Sequence, residues 1–108
     1  TQKVKKNISS PSSSIYNSIL SLQPRYFQMK NPKDDNKQFL SFIAEEVASI
    51  SPSLATYGAD YNFDDSGSRI DLASDNLVPI DIDERAIIAS LVGKIQDLEQ
   101  RIQQLESQ

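Results

Sequence analysis

The sequence predicts an α+β fold, with a small globular part over residues 1–80 and a long helix over residues 81–108. Three observations predict it. The last quarter carries apolar residues in a heptad pattern, and two short alternating stretches flank a polar loop, as in a β-hairpin. Residues 59–76 are polar and aperiodic, which indicates a long loop or a protruding hairpin. With 108 residues, 38% of them hydrophobic, the core is expected to be small, so that association supplies further burial.

The heptad pattern is the strongest signal in the chain. Its apolar residues are separated by three, four, three, four and three positions, with Ile at every a position and Leu at every d. No Pro interrupts the stretch, and Gly93 falls on the outer f position. The pattern predicts a coiled-coil helix with a single interface. We call its six residues the seam: Ile88, Leu91, Ile95, Leu98, Ile102 and Leu105.

Charged residues beside the seam predict how neighbouring helices are oriented. Lys94 and Arg101 occupy g positions, and Glu99 and Glu106 occupy e positions. In a parallel, in-register coil, each g residue faces the e residue five positions further on in the neighbouring chain. Lys94 would then meet Glu99, and Arg101 would meet Glu106. The charge pattern therefore predicts parallel self-association.

The heptad pattern says less directly how many chains associate in the coil. Ile at a with Leu at d favours two strands. Ile87 at g and Val92 at e widen the apolar stripe in the first heptad, so either a third chain or the globular part covers them. We expect a parallel trimer. The alternative is an amphipathic helix packed within a single domain.

The first half of the globular part predicts a helix followed by a hairpin. A Ser/Pro cluster over residues 9–14 is typical of a helix start, and Pro24 ends the apolar periodicity that follows. Residues 25–30 and 38–43 alternate as strands do, with a polar loop over 31–37 between them.

The second half predicts one more helix and two more strands. The period changes to that of a helix over residues 44–50, which Ser-Pro ends. Short strands are expected at 54–57 and 77–80. Asp81 or Asp83 is expected to cap the long helix, because Asp is a favoured N-cap residue.

Composition excludes several function classes. The chain has no Cys and no His, which removes thiol catalysis, His acid–base catalysis and ordinary zinc sites. No cofactor is expected. The net charge of −4 argues against nucleic-acid binding. No apolar run is long enough to cross a membrane and no signal peptide is present, so no membrane partner is expected.

One acidic segment, residues 60–68, superficially resembles a calcium-binding loop. Its sequence is Asp-Tyr-Asn-Phe-Asp-Asp-Ser-Gly-Ser. The glycine falls at the wrong step and no bidentate Glu follows at the right distance. A polar turn is the better interpretation.

Four short motifs, in order along almost the whole chain, carry a family resemblance. They are Lys3-Val-Lys-Lys-Asn-Ile8, Leu20-Ser-Leu-Gln-Pro-Arg-Tyr-Phe27, Ser41-Phe-Ile-Ala-Glu-Glu-Val47 and the helix that begins with Ile82-Asp-Glu-Arg85. Together they resemble the C-terminal intramolecular chaperone domain of phage tailspikes, tail fibres and neck appendages. This is the endosialidase type, a Ser–Lys self-cleaving peptidase family.

The resemblance implies a function. Such domains promote trimerisation and folding of the preceding part of the same polypeptide, then release themselves by a single-turnover cut at a Ser. Aligned on Asn7 and Ile8, that Ser falls immediately before Thr1, and Lys5 is its partner. The chain begins at Thr rather than Met, so it is expected to be a fragment or a processing product. The resemblance also implies a homotrimer in the host cytoplasm during virion assembly, absent from the mature virion after cleavage.

Departures from the family pattern affect the cleavage segment. Thr1 stands where the family has Asp, and Lys3 where it has Arg. A Lys can take the proton of a Ser hydroxyl once burial favours its neutral form, and folding in the oligomer is expected to desolvate Lys5. Two alternatives stay open. One is a permanent trimerisation foot that is never cleaved, and the other is a module that grips a partner through residues 59–76.

Overall fold

The computed structural model describes residues 2–30, 36–72 and 76–108 of the chain. It shows the predicted mixture of short helices, short strands and small sheets that leads into one long C-terminal helix. The helices are α1 (Ser13–Ser18), α2 (Ala44–Ile50) and α3 (Glu84–Glu106). The strands are β1 (Arg25–Gln28), β2 (Gln38–Ser41), β3 (Ala55–Gly58), β4 (Tyr61–Phe63), β5 (Arg69–Asp71) and β6 (Val78–Ile82).

The first helix and hairpin form where the sequence predicts them. α1 continues into a 3-10 turn over Ile19–Ser21, which ends ahead of Pro24. β1 and β2 pair antiparallel, with Phe27 opposite Phe39 and their ring centroids 5.8 Å apart. The strands are shorter than predicted because pairing stops at Gln28 and at Ser41. Residues 31–35 of the predicted loop lie outside the described residues.

Within the polar stretch of residues 59–76, residues 61–71 form a hairpin, one of the two forms predicted for this stretch. β3 pairs antiparallel with β6, and β4 with β5, so the second pair is nested inside the first. The Leu72 amide donates to the Asp60 carbonyl at 2.9 Å and extends the β4–β5 pair by one position. The strands predicted at 54–57 and 77–80 are confirmed as β3 and β6. Residues 73–75 lie outside the described residues.

A small apolar core holds these elements together. α2 has the predicted bounds and contributes Val47, whose side chain is fully buried. Phe42, Ala48, Ile50, Ile82 and Ala86 pack around the core at half burial. Loss of water contact by such side chains is the main favourable term in folding, and here few residues supply it. The buried apolar residues are Ile19, Leu22, Val47, Leu54, Ala55 and Ile87.

The long helix begins inside the globular part. Asp83 is the N-cap, and its Oδ1 accepts a hydrogen bond from the Ala86 amide at 3.0 Å. The Asp83 amide donates to the Leu54 carbonyl at 2.8 Å, which ties the cap to the core. The predicted boundary after residue 80 falls within β6, and Ile87 belongs to the core. The first turn of α3 is therefore part of the globular packing.

Candidate functional site

α3 carries two faces with different surroundings. One face packs against α1 and the core and contains all of the helix residues that are buried in the described chain. These are Ile87, Ser90, Gly93 and Lys94. Their heptad positions are g, c, f and g, which lie to one side of the seam. The face of α3 that packs against the globular part is therefore not one that the apolar pattern alone predicts.

Gly93 permits the close approach of α1. A β-carbon at this position would lie 2.6 Å from Tyr16 Cδ1 and closer still to two other atoms of the ring. Gly93 was predicted on the outer side of the helix, and that prediction is wrong because the ring of Tyr16 covers it. Only Gly leaves room for the ring in this arrangement.

Lys94 is engaged within its own chain. Its side chain is 5% exposed, and Nζ lies 3.0 Å from Asn17 Oδ1 and 3.4 Å from Asp97 Oδ2. A buried ammonium needs such partners to offset the loss of hydration. The predicted pair between Lys94 and Glu99 of a neighbouring chain conflicts with this arrangement, because Nζ points towards α1.

The other charged residues at the predicted e and g positions are exposed. Arg101 Nη2 lies 3.3 Å from Asp97 Oδ2 in the same helix, and the Arg101 side chain is largely in water. Glu99 Oε1 accepts a hydrogen bond from Gln103 Nε2 at 3.2 Å. These contacts are weak surface interactions, so Arg101 remains able to meet Glu106 of a neighbour.

The second face of α3 is the seam. Its six residues are between 41% and 68% exposed, although the opposite face of the same helix is packed. The residues Ile88, Leu91, Ile95, Leu98, Ile102 and Leu105 thus form an apolar stripe along one side of the helix. A stripe of this length on a folded chain is typical of an interaction surface.

The structure separates the two flanking apolar residues of the first heptad. Ile87 is 5% exposed and lies in the core, so the globular part covers it. Val92 is 49% exposed. The globular part therefore covers Ile87 and does not cover Val92.

An open groove of about 280 Å³ lies beside the head of the seam, between β2 and α3. Its walls are mostly apolar. Leu40 projects from β2 and is largely exposed, whereas Phe42 is half-buried. The sequence did not predict this groove, because the residues that form it are distant along the chain. Its apolar lining is Leu40, Phe42, Ile82, Ile87, Ile88 and Leu91.

The predicted cleavage segment lies before α1 and away from the core. Lys5, Asn7 and Ile8 are all exposed, and Asn7 has a left-handed backbone with φ of 55°. Asn tolerates this conformation better than most residues. Thr1 lies outside the described residues. The segment leads directly into α1, which packs on α3 through Tyr16 and Asn17.

The acidic segment forms a polar turn, as predicted. Asp64 Oδ1 accepts hydrogen bonds from the Ser66 amide at 2.9 Å, the Ser66 hydroxyl at 2.6 Å and the Ser68 amide at 2.9 Å. The Ser66 hydroxyl, and then the backbone amides, lower the pKa of the Asp64 carboxyl below its ordinary value. Within the described ranges, no three acidic, His or Cys residues are grouped so as to hold a metal ion.

The structure gives one finding on membranes. Across residues 2–30, 36–72 and 76–108, no helix combines the length and apolarity needed to span a bilayer.

No protein-family model matches this chain, and no curated protein matches it either.

Proposed function

We propose that this chain is an intramolecular chaperone module that trimerises through a parallel coiled coil formed by the seam. In this role it promotes folding and trimerisation of the preceding region of the same polypeptide, a phage tail fibre, tailspike or appendage. The observation that carries the proposal is the seam itself, which stays exposed on a helix whose opposite face is already packed.

The energetics favour association. Burying a fully exposed Ile or Leu side chain contributes about 1.5–3 kcal/mol, and each chain offers six such residues that are still 41% to 68% exposed. Three heptads are few, so the coil alone holds chains together weakly. The small core also leaves the folded chain with little stability in reserve, and burial of the seam would add to it.

Release by self-cleavage is the second part of the proposal. In the single chain the Lys5 side chain is exposed. A reaction that should follow assembly benefits from this, because the Ser–Lys pair would be completed only in the oligomer. The cut would fall at a Ser immediately before Thr1, as the motif resemblance implies.

A trimerisation module that is removed after assembly suits the slow folding of fibres. Fibres rich in long-range strand pairing fold slowly and expose unpaired edges while they do so. A coil that holds three chains in register reduces the chance of wrong pairing, and its later removal leaves the finished fibre.

Analytical ultracentrifugation tests the assembly proposal. We expect the chain to sediment as a trimer, and the double variant with Leu98→Gln and Ile102→Gln to sediment as a monomer. Ala89→Gln, an exposed change outside the seam, is the matched control and should remain trimeric. A wild-type chain that stays monomeric at every concentration would contradict the proposal.

A further inference from the structure

The groove beside the head of the seam and the exposed Val92 lie on opposite flanks of the same helix. Ile87, which lines the groove, is a g residue, whereas Val92 is an e residue. We propose that Val92 of a second copy of this chain docks at this groove, so that the globular part joins the interface. This inference rests on the proposed parallel coil and adds a specific contact to it.

Heptad geometry carries the inference. In a parallel, in-register coil, a g residue faces the e residue five positions further on in the neighbour. Five positions after Ile87 is Val92. The neighbour's Val92 therefore arrives beside Ile87, at the wall of the groove, by the same rule that sets the register of the seam.

The groove has the chemistry to receive an aliphatic side chain. Leu40 and Phe42 of the β1–β2 region face Ile88 and Leu91 of α3 across it. Two of these residues belong to the seam, so the groove adjoins the proposed interface directly, and Ser41 and Glu84 are the polar residues of its lining. Burial of Val92 among aliphatic and aromatic groups is favourable, and the exposed Leu40 would lose water contact in the same step.

The observed position of Lys94 is compatible with this contact. At the next g position Lys94 is turned towards Asn17, so it does not pair with Glu99 of the neighbour. At the first g position the contact is apolar instead of ionic. Association in the first heptad therefore depends on the groove. In the later heptads it depends on the seam and on Arg101.

Crosslinking tests the contact directly, because the chain contains no native Cys. We expect a chain with Leu40→Cys and Val92→Cys to give covalent oligomers with a short bismaleimide, visible on a denaturing gel. The matched control carries Leu20→Cys and Val92→Cys, since Leu20 is 67% exposed and Leu40 is 63% exposed. This control should stay largely monomeric on the gel, as should each single-Cys variant.

A charge in the groove provides the second measurement. Leu40→Glu should raise the concentration of half-dissociation by about tenfold or more, whereas Leu20→Glu should leave it unchanged. Circular dichroism of each variant at high concentration checks that the fold is kept, which the exposure of both leucines favours.

The outcomes separate the two proposals. If the wild-type chain is a concentration-independent monomer, the coiled-coil proposal fails and this inference fails with it. If the wild-type chain associates but the Leu40 and Val92 cysteines crosslink no better than the control pair, the coil stands and the groove contact is wrong. Unchanged association of Leu40→Glu would overturn the contact in the same way.

Discussion

The phenol ring of Tyr16 occupies the space where a side chain at Gly93 would begin. A β-carbon there would lie 2.6 Å from Tyr16 Cδ1, which is shorter than real carbon contacts allow. This contact fixes how closely α1 approaches α3. It also joins the helix that follows the proposed cleavage segment to the helix that carries the seam.

The effect of Gly93→Ala on the free energy of unfolding should depend on whether Tyr16 is present. In a helix interior this change normally stabilises by about 1 kcal/mol, because Ala has the higher helix propensity. Here it should destabilise by about 1 kcal/mol net, since overpacking costs about 1–3 kcal/mol. Urea denaturation of the single variant measures the effect.

The matched background for that experiment is Tyr16→Ala. With the ring removed, Gly93→Ala should become stabilising, because the added methyl group meets open space. An equal effect of Gly93→Ala in both backgrounds would contradict the packing described for these two helices.

The Lys94 and Asn17 contact predicts a second coupling. Asn17→Ala should lower the free energy of unfolding by about 1 kcal/mol or more, because the buried ammonium of Lys94 loses its hydrogen bond to Asn17 and keeps only the longer one to Asp97. In a Lys94→Met background the same substitution should be nearly neutral, because no charge then needs Asn17. A double-mutant cycle by chemical denaturation measures the difference. Independent, additive effects would show that the hydrogen bond contributes nothing.

The proposed self-cleavage predicts a pattern among three lysines. In a longer precursor with Ser before Thr1, Lys5→Ala should abolish release and leave assembly intact, because Ala cannot take the Ser proton. Lys3→Ala and Lys6→Ala should slow release only modestly. Denaturing gels with N-terminal sequencing of the fragment measure the outcome.

An alternative register gives the opposite pattern. If Thr1 were the nucleophile, Lys6 would be its base, and Lys6→Ala would be inactive while Lys5→Ala stayed active. Full release in the Lys5→Ala precursor would end the Ser–Lys assignment. A wild-type precursor that assembles without release would instead support the permanent trimerisation foot.

The Asp64 turn predicts a local response to acid. Hydrogen bonds from Ser66 and Ser68 lower the pKa of Asp64 in the folded state below the ordinary value of 3.8. Its contribution to stability is therefore complete above pH 3.8 and is lost as the pH falls through the lower folded pKa. An NMR titration should show the Ser66 and Ser68 amides shifting together only in that acidic range. Asp64→Asn should remove the transition, and amides that titrate above pH 3.8 in the wild-type chain would contradict the assignment.

The elements with strong local signals were predictable from the sequence. The bounds of α2 follow from its change of period and from the Ser-Pro that ends it. The hairpin of β1 and β2 follows from alternation around a polar loop, and Asp83, one of the two caps predicted, is the N-cap of the long helix.

The packed face of α3 was not predictable in the same way. It consists of small and charged residues as well as Ile87, so an apolar count assigns it to solvent. Gly93 and Lys94 become interior residues only because Tyr16 and Asn17, about eighty positions earlier, come to lie against them. The groove depends likewise on β2 meeting α3, a long-range contact that local periodicity does not encode.

The last buried residue of α3 is Lys94, while the helix continues to Glu106. Gln100 still lies beside Pro11 and Ser13, and every residue after it is exposed. Whole heptads added to or removed from this end would leave Tyr16, Gly93 and the core untouched and keep the seam in phase. In the proposed coil, the number of heptads would set how tightly copies associate, and the rest of the fold would not need to change with it.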